Sequence, residues 1–174
     1  MDEIINKRNS VSILKLNKND IENYLEDMFE IISKNMEKIA PTGNSKTEDY
    51  TYWKQSMQRE IENNDKRWII ALYNGDLIGY FLYKFINDTL FLDELQIKEE
   101  HHHDRTTFRK LFSSVLNEEV PENTIVYTCV NRQNDKSRAI INKFGFVECE
   151  KTQRGFRYKT KWQDLKRMLE DYPL

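Results

Sequence analysis

Residues 67–97 read RWIIALYNGDLIGYFLYKFINDTLFLDELQI, three apolar runs separated by Asn74-Gly75 and Asn87-Asp88. Asn-Gly between two apolar runs is the strongest short hairpin signal, because a type I′ turn needs positive φ at both of its central residues. The sequence therefore predicts three successive antiparallel strands in the middle of the chain.

Further helices and strands are predicted on both sides of this meander from apolar periodicity, caps and breakers. In chain order, the first predicted elements are a strand 11–16, a helix capped by Asn19-Asp20 and ending near Ile39, and a helix from Thr47 to Asn63. The three meander strands follow, from Arg67 to Tyr73, after Gly75 and from Thr89 to Ile97. A charged loop 98–105 then leads to a helix to Asn117, a strand from Thr124 to Val130, a helix from Asp135 to Phe144 ended by Gly145, a hairpin around 153–155 and a closing helix 163–170.

The composition is that of one globular domain over residues 1–174, with a core of about 11–162 and a C-terminal helix. Hydrophobic residues make up 39% and charged residues 32%, which excludes disordered and fibrous chains. The 27 Lys and Arg against 29 Asp and Glu give a net charge of −2, which argues against a nucleic-acid or membrane-surface partner.

Cysteine usage and the start of the chain favour a cytoplasmic protein. The two cysteines, Cys129 and Cys149, are too few for a disulfide framework, and MDEIINKRNS lacks the apolar segment of a signal peptide. Glycine is scarce: there are 5, where average usage of about 7% would give roughly 12. Loops that bring the backbone close to a ligand are therefore expected to be few.

Residues 134–146, NDKSRAIINKFGF, carry a resemblance to a known family. They match the stretch N-x-x-A/S-x-x-L-Y-x-K-x-G-F of the GNAT acetyltransferase superfamily at Asn134, Ser137, Lys143, Gly145 and Phe146, and the predicted element order is similar too. The resemblance implies an α/β (α+β) fold with a mixed, mostly antiparallel sheet of about six to seven strands flanked by helices. It also implies transfer of acetyl from acetyl-CoA, as a co-substrate and without a metal, to an amine of a small molecule or peptide.

The same resemblance implies where acetyl-CoA would bind. Pantetheine would pair with the end of the third meander strand, and pyrophosphate would lie at the start of the following helix. The implied binding residues are Leu95, Gln96, Ile97, His103, Asp104, Arg105, Thr106, Thr107, Phe108 and Asn134.

The phosphate loop departs from the family's Q/R-x-x-G-x-G/A pattern. No glycine occurs between Gly79 and Gly145, and Thr106 and Phe108, or positions one residue away, stand where the family has its glycines. Backbone N–H groups, threonine hydroxyls and Arg105 remain as possible phosphate donors, whereas the ring of Phe108 is expected to obstruct close approach. Two interpretations stay open: a loop that binds CoA, and one that has lost it.

Asp93 and Glu94 are the candidate catalytic bases. Alternation along a strand places Asp93 with Phe91, Leu95 and Ile97, and Glu94 with Leu92 and Gln96, unless a bulge intervenes. A carboxylate on an apolar face has a raised pKa and can accept a proton from an ammonium group. The alternative is that both are edge acids paired with Lys or Arg.

The family's proton-donating tyrosine aligns with Ile141, which has no proton to donate. Tyr127, Cys129 and Tyr158 are the candidates to replace it. His101, His102 and His103 are adjacent on a loop and unsuited to one tetrahedral metal centre, so a solvated loop or a phosphate contact is favoured. The last open question concerns three aromatics that form either core or an acceptor wall: Tyr50, Tyr52 and Trp53.

Three functions are compatible with these features. The first is the N-acetyltransferase. The second is a catalytically weak or inactive GNAT-fold module that binds CoA or another protein, favoured by the missing glycines and tyrosine. The third is a transferase in which a related acyl group or an aminoacyl carrier replaces acetyl-CoA. A homodimer is possible in each case.

Overall fold

The computed structural model describes residues 10–171. Its elements are β1 (Ser12–Leu16), α1 (Lys18–Ile21), α2 (Leu25–Met36), α3 (Lys46–Asn63), β2 (Lys66–Tyr73), β3 (Asp76–Ile86), β4 (Thr89–Ile97), α4 (Arg105–Ser113), β5 (Ile125–Asn131), α5 (Asp135–Lys143), β6 (Val147–Lys151), β7 (Gly155–Lys161) and α6 (Trp162–Asp171). Short 3₁₀ turns occupy residues 22–24, 99–101 and 114–117.

The predicted meander of β2, β3 and β4 is confirmed. Asn74 and Gly75 have φ values of 54° and 91°, and Asn87 and Asp88 have 45° and 61°, so both connections use left-handed backbone at their two central residues. Asn and Asp tolerate this conformation better than other residues with a Cβ. The two turns therefore set the pairing of the central strands.

All seven strands join one sheet in the order β1-β2-β3-β4-β5-β7-β6. Neighbouring strands are antiparallel except β4 and β5, which run parallel. This is the mixed, mostly antiparallel sheet that the family resemblance implied.

One continuous helix was predicted from Asn19-Asp20 to Ile39, and this was wrong. The N-cap is Asn17, and α1 is separated from α2 by the 3₁₀ turn. Tyr24 has φ −113° and ψ −5°, values that depart from regular helix. The turn keeps Ile21 and Leu25 buried on the same side, which is why apolar periodicity did not reveal the break.

Each face of the sheet carries its own hydrophobic cluster. The first face is covered by α4, α6 and the end of α5, and the second by α1, α2 and α3. The buried run Leu77 to Tyr83 in β3 contributes to both clusters. From Tyr80 to Tyr83 its side chains alternate between the second cluster and the first. Among residues 10–171, no helix is long and apolar enough to cross a membrane.

Gly79 lets α4 pack closely on β3 and β4. A Cβ at this position would lie 2.8 Å from Gln96 O and 3.1 Å from Leu111 Cδ1. The glycine inside this strand is thus a close-packing residue that lets Leu111 of α4 approach the backbone of β3 and β4.

Candidate active site

The parallel strands β4 and β5 separate halfway along their length. They pair at Leu90 with Val126, Phe91 with Tyr127 and Leu92 with Thr128, and Thr128 Oγ1 donates a hydrogen bond to Leu92 O at 3.0 Å. Within the described chain the ladder stops there, although β4 continues to Ile97 and β5 to Asn131. A gap therefore opens between the ends of the two strands.

The backbone of Leu95 and Ile97 faces this gap. Lys98 N–H donates to Ile78 O at 2.8 Å, and the alternation of an antiparallel ladder then directs the amides of Gln96 and Glu94 towards β3. Ile97 O already accepts from Asn35 Nδ2 at 2.9 Å and from His102 Nε2 at 2.8 Å. The predicted pantetheine edge thus retains both backbone groups of Leu95 and the N–H of Ile97.

A β-bulge at Asp93 redirects the side chains of β4. Tyr83 pairs with Leu92 but Leu82 pairs with Glu94, so Asp93 is an extra residue. Simple alternation was therefore wrong for this strand: Leu95 packs with Leu92 on the first face, while Glu94 lies opposite Leu82 on the second. The bulge turns both acids towards the side of α2 and α3.

Glu94 is half-buried and is bonded by a tyrosine hydroxyl. Tyr80, whose exposed fraction is 0%, donates a short hydrogen bond to Glu94 Oε1. Burial raises the pKa of Glu94, an effect that outweighs the Tyr80 hydrogen bond and the charge of Lys66, both of which lower it. Burial and the Glu94 charge raise the pKa of Tyr80 well above its usual value, so the hydroxyl remains a donor.

Asp93 is in the ion pairs that the alternative interpretation predicted. Its Oδ2 lies 2.8 Å from Lys66 Nζ and 4.0 Å from Lys84 Nζ, and Glu60 of α3 binds Lys66 at 3.3 Å. Of the two candidate bases, Glu94 is therefore the one without a direct ion pair among the described residues.

The N-terminus of α4 is capped by its own carboxylate. Asp104 accepts from Thr106 N–H at 2.9 Å and from Thr107 Oγ1 at 2.6 Å. Burial acts to raise the pKa of Asp104, but these hydrogen bonds prevail and lower it. A negative charge thus occupies the place where the helix would otherwise offer donors to a phosphate.

Phe108 is half-buried and packs against the first hydrophobic cluster. Its ring lies 5.4 Å from that of Phe112 and 5.9 Å from that of Phe144. His103 and Arg105 are exposed at the start of the helix, as is Thr106, while Thr107 is fully buried.

Asn134 caps α5, as predicted, with its Oδ1 accepting Ser137 N–H at 3.0 Å, and Gly145 ends the helix region with φ 77°. Ile141 packs against the first cluster. The candidate replacements for the missing tyrosine lie on the paired strands β5 and β7, where Tyr158 is opposite Thr128. Tyr127 stacks on Phe91 at 5.6 Å, Cys129 is exposed and Tyr158 is buried in the first cluster.

The remaining polar and aromatic candidates have local partners. His101 packs near Tyr73, and no group of three or more metal-ligating residues occurs within residues 10–171. Tyr50 and Trp53 pack on Phe29 of α2, at 5.1 and 5.6 Å between ring centroids. Only Tyr52 of these aromatics is largely exposed, at 64%.

The sequence interpretation missed three residues: Tyr80, Lys66 and Asn35. Simple continuation of the β3–β4 hairpin places Tyr80 opposite Leu95, whereas the bulge places it opposite Gln96, two residue pairs from Glu94 and on the same face of the sheet. Asn35 reaches Gln96 Oε1 at 2.9 Å only because α2 lies across β4. No local pattern in the sequence indicates either contact.

No family model matches the chain, and no curated protein matches it. Several solved structures, however, are similar to it. The PaiA N-acetyltransferase of Thermoplasma acidophilum, in complex with coenzyme A, has 22% identity and a TM-score of 0.65, over 88% of this chain and 99% of that one. An acetyltransferase of Thermus thermophilus has 16% identity and a TM-score of 0.66, over 87% and 97%.

A GNAT-family acetyltransferase of Staphylococcus aureus is similar in the same way, with 12% identity and a TM-score of 0.63 over 87% of this chain and 99% of that one. The likeness extends over nearly the full length of each neighbour and over most of this chain. This chain is therefore a GNAT-fold protein.

Proposed function

We propose that this protein is an N-acetyltransferase that transfers the acetyl group of acetyl-CoA to a primary amine of a small molecule or peptide. The observation that carries the proposal is Glu94: a half-buried carboxylate without a direct cation partner in the described chain, next to an open gap between parallel strands. Neighbours with the same fold are acetyltransferases, and one holds coenzyme A.

The proposed reaction is a direct attack. Glu94 takes one proton from the ammonium group, and the amine nitrogen then forms a bond to the thioester carbonyl carbon. The carbon–sulfur bond breaks with its electron pair going to sulfur, and the second proton of the nitrogen passes through solvent to the departing thiolate. The N–H of Leu95, which faces the gap, is the proposed donor to the oxyanion. The raised pKa of Glu94 makes it a better proton acceptor than an exposed carboxylate.

Departure of the thiolate proceeds without the family's usual acid, since Ile141 holds that position. A thiol with a pKa of about 8 to 9 leaves tolerably in water, so the step is slowed rather than prevented. We propose that the binding residues implied by the resemblance surround the donor, with Leu95 and Ile97 providing the backbone contacts.

A second function, a catalytically weak or inactive GNAT-fold module, is favoured by a specific observation. The Asp104 carboxylate accepts hydrogen bonds from the N–H of Thr106 and the hydroxyl of Thr107 at the start of α4. The backbone oxygen of Ile97 already accepts a hydrogen bond from His102. These contacts compete with CoA for the groups it would use. A module of this type would bind CoA weakly and release no thiol.

Two measurements separate these functions. Thermal unfolding with acetyl-CoA or CoA should show stabilisation, of about 2.7 kcal/mol at a hundredfold excess over Kd. Thiol release should then depend on an added amine, tested over a panel of polyamines, amino sugars and peptide N-termini. Stabilisation without thiol release would favour the binding module, and no stabilisation at millimolar ligand would refute the proposal.

The base is tested by Glu94→Gln, which should lower the amine-dependent rate roughly 100-fold or more. Glu118→Gln is the matched control, because Glu118 also accepts a tyrosine hydroxyl, from Tyr83 at 2.9 Å, and lies outside the sheet, directly after the 3₁₀ turn 114–117. Asp93→Asn tests the other candidate. A larger loss in Asp93→Asn than in Glu94→Gln would overturn the assignment to Glu94.

A further inference from the structure

The ammonium group of Lys66 is buried next to the bulge of β4. The side chain is only 7% exposed and Nζ lies 2.8 Å from Asp93 Oδ2 and 3.3 Å from Glu60 Oε1. Lys84 approaches the same carboxylates only to 4.0 and 3.9 Å. Lys66, the first residue of β2, therefore connects its strand to Glu60 of α3 and to Asp93, the extra residue of β4.

A buried cation in this position has a structural consequence. Because an isolated buried charge is costly, Lys66 must keep its ion pairs with Asp93 and Glu60. These ion pairs in turn restrict the positions of the two carboxylates. Asp93 is the inserted residue, and its insertion turns Glu94 to the second face of the sheet. Fixing Asp93 thus fixes the direction of Glu94.

The structure also places the Lys66 charge close enough to act on Glu94. The groups that face Glu94 are Tyr80 from β3, Asp93 from its own strand and Lys66 from β2. From α3, Glu60 acts through Lys66; from α2, neutral Asn35 binds the neighbouring Gln96. Lys66 is the one cation among these groups in the described chain that directly influences the carboxylate.

We propose that Lys66 is a positioning residue for Glu94, holding the bulge through Asp93 and supplying the positive charge beside the proposed base. The catalytic role of Glu94 rests on the proposed function, but the effect of Lys66 on Glu94 does not require activity. Burial alone would lower the pKa of Lys66; the hydrogen bonds and charges of Asp93 and Glu60 outweigh it and raise that pKa. Lys66 therefore stays charged where Glu94 titrates.

The direct test is an NMR titration of the Glu94 side-chain carboxyl in the ligand-free protein. Lys66→Met removes the cation and leaves the charge of Asp93 uncompensated, so the pKa of Glu94 should rise by about one unit, a tenfold change in proton affinity. Lys66→Arg should retain most of the original value. Lys15→Met, which removes an exposed cation paired with Glu118, is the control and should leave Glu94 unchanged.

Asp93→Asn keeps the experiment decisive if Lys66→Met does not fold. It removes a negative charge near Glu94 and leaves Lys66 paired with Glu60, so the pKa of Glu94 should fall rather than rise. An unchanged Glu94 titration in Lys66→Met, or in Asp93→Asn when only that variant folds, overturns the proposal.

A kinetic readout separates this inference from the proposed function. If the wild-type chain transfers acetyl groups, the acid limb of kcat/KM should move to higher pH in Lys66→Met and return with Lys66→Arg. A uniform loss at every pH with an unmoved limb overturns the proposal. If the wild-type chain transfers nothing, the proposed function fails while the titration still decides the role of Lys66.

Discussion

At the scale of single residues, two tyrosine–glutamate pairs illustrate how surroundings set the chemistry of a carboxylate. Tyr80 bonds Glu94 and Tyr83 bonds Glu118. Burial raises the pKa of Glu94. Burial also acts to raise that of Glu118, but hydrogen bonds from Lys15 and Tyr83 lower it below the usual value. The same pair of residue types thus produces opposite shifts, according to whether a cation binds the carboxylate directly.

Replacing Glu94 should make the protein more stable at neutral pH. The folded chain holds the Glu94 proton more tightly than the unfolded chain does. The protonated form therefore stabilises the fold at pH values below the ordinary glutamate pKa of 4.5, and this stabilisation is lost as the pH rises through the raised pKa of the folded state. Glu94→Gln mimics the protonated form and keeps an acceptor for Tyr80. Thermal unfolding at several pH values should show a higher Tm for the variant above this window and an unchanged Tm below it.

Glu118→Gln should give the opposite result. The ionised Glu118 stabilises the fold above its ordinary value of 4.5, and this contribution is lost as pH falls through the lowered folded pKa. The substitution should therefore lower the Tm at neutral pH. The same sign of Tm change for both variants at neutral pH would contradict the two opposite shifts.

At the scale of elements, the start of α4 determines which groups the diphosphate of the proposed acetyl-CoA would meet. A helix N-terminus attracts anions through free N–H groups and the helix dipole, but here Asp104 supplies the anion. The scarcity of glycine is linked to this, since α4 begins with residues that cap the helix rather than with residues that let a phosphate approach the backbone.

Replacing the cap should change the affinity for the nucleotide part of the donor. Asp104→Ser keeps a good N-cap but removes the charge, and should tighten CoA binding by about five- to tenfold, equivalent to roughly 1 kcal/mol of removed repulsion. Pantetheine, which has no diphosphate, should bind equally to both proteins. Calorimetric titration with both ligands measures the difference.

Asp49→Ser is the matched control for that comparison. Asp49 lies in the first turn of α3 and accepts a threonine hydroxyl, from Thr42 at 2.6 Å, much as Asp104 accepts that of Thr107. It should leave both affinities unchanged. An equal change of CoA and pantetheine binding in Asp104→Ser would rule out the electrostatic explanation.

At the scale of the whole molecule, burial is unevenly divided across the sheet. The middle strands carry hydrophobic clusters on both faces, with seven consecutive buried residues in β3, whereas every residue of the edge strand β6 is exposed. Opening of the middle strands would expose both cores, but opening of β6 would expose almost no apolar surface. Local stability should therefore fall from β3 towards β6.

Hydrogen exchange measures this gradient. The amides of residues 78–83 should exchange slowest, close to the rate set by global unfolding, and those of β6 much faster. Peptide-level exchange by mass spectrometry resolves the two segments. Equal protection of β6 and β3 in the isolated protein would show that another surface covers β6, as in a dimer.

Much of the fold could be predicted because its signals are local. Asn74-Gly75 and Asn87-Asp88 specify turns through their own φ preferences, Gly145 ends a helix region, and Asn134 caps one. The resemblance carried by residues 134–146 then implied a mixed, mostly antiparallel sheet, but not the order of its strands. The break between α1 and α2 escaped prediction because the buried face continues across it.

The sequence by itself determined the strands, the turns and the presence of two acids in the middle of β4. Only the tertiary structure decided which acid is free of ion pairs within the described residues, because the bulge at Asp93 and its contact with Lys66 join residues from β2, α3 and β4. Likewise the sequence shows that the loop before α4 contains no glycine, but the capping of α4 by Asp104 depends on side-chain geometry. Local conformational preference is a property of short stretches, whereas the pKa and the partner of a side chain depend on charges and burial contributed by distant parts of the chain.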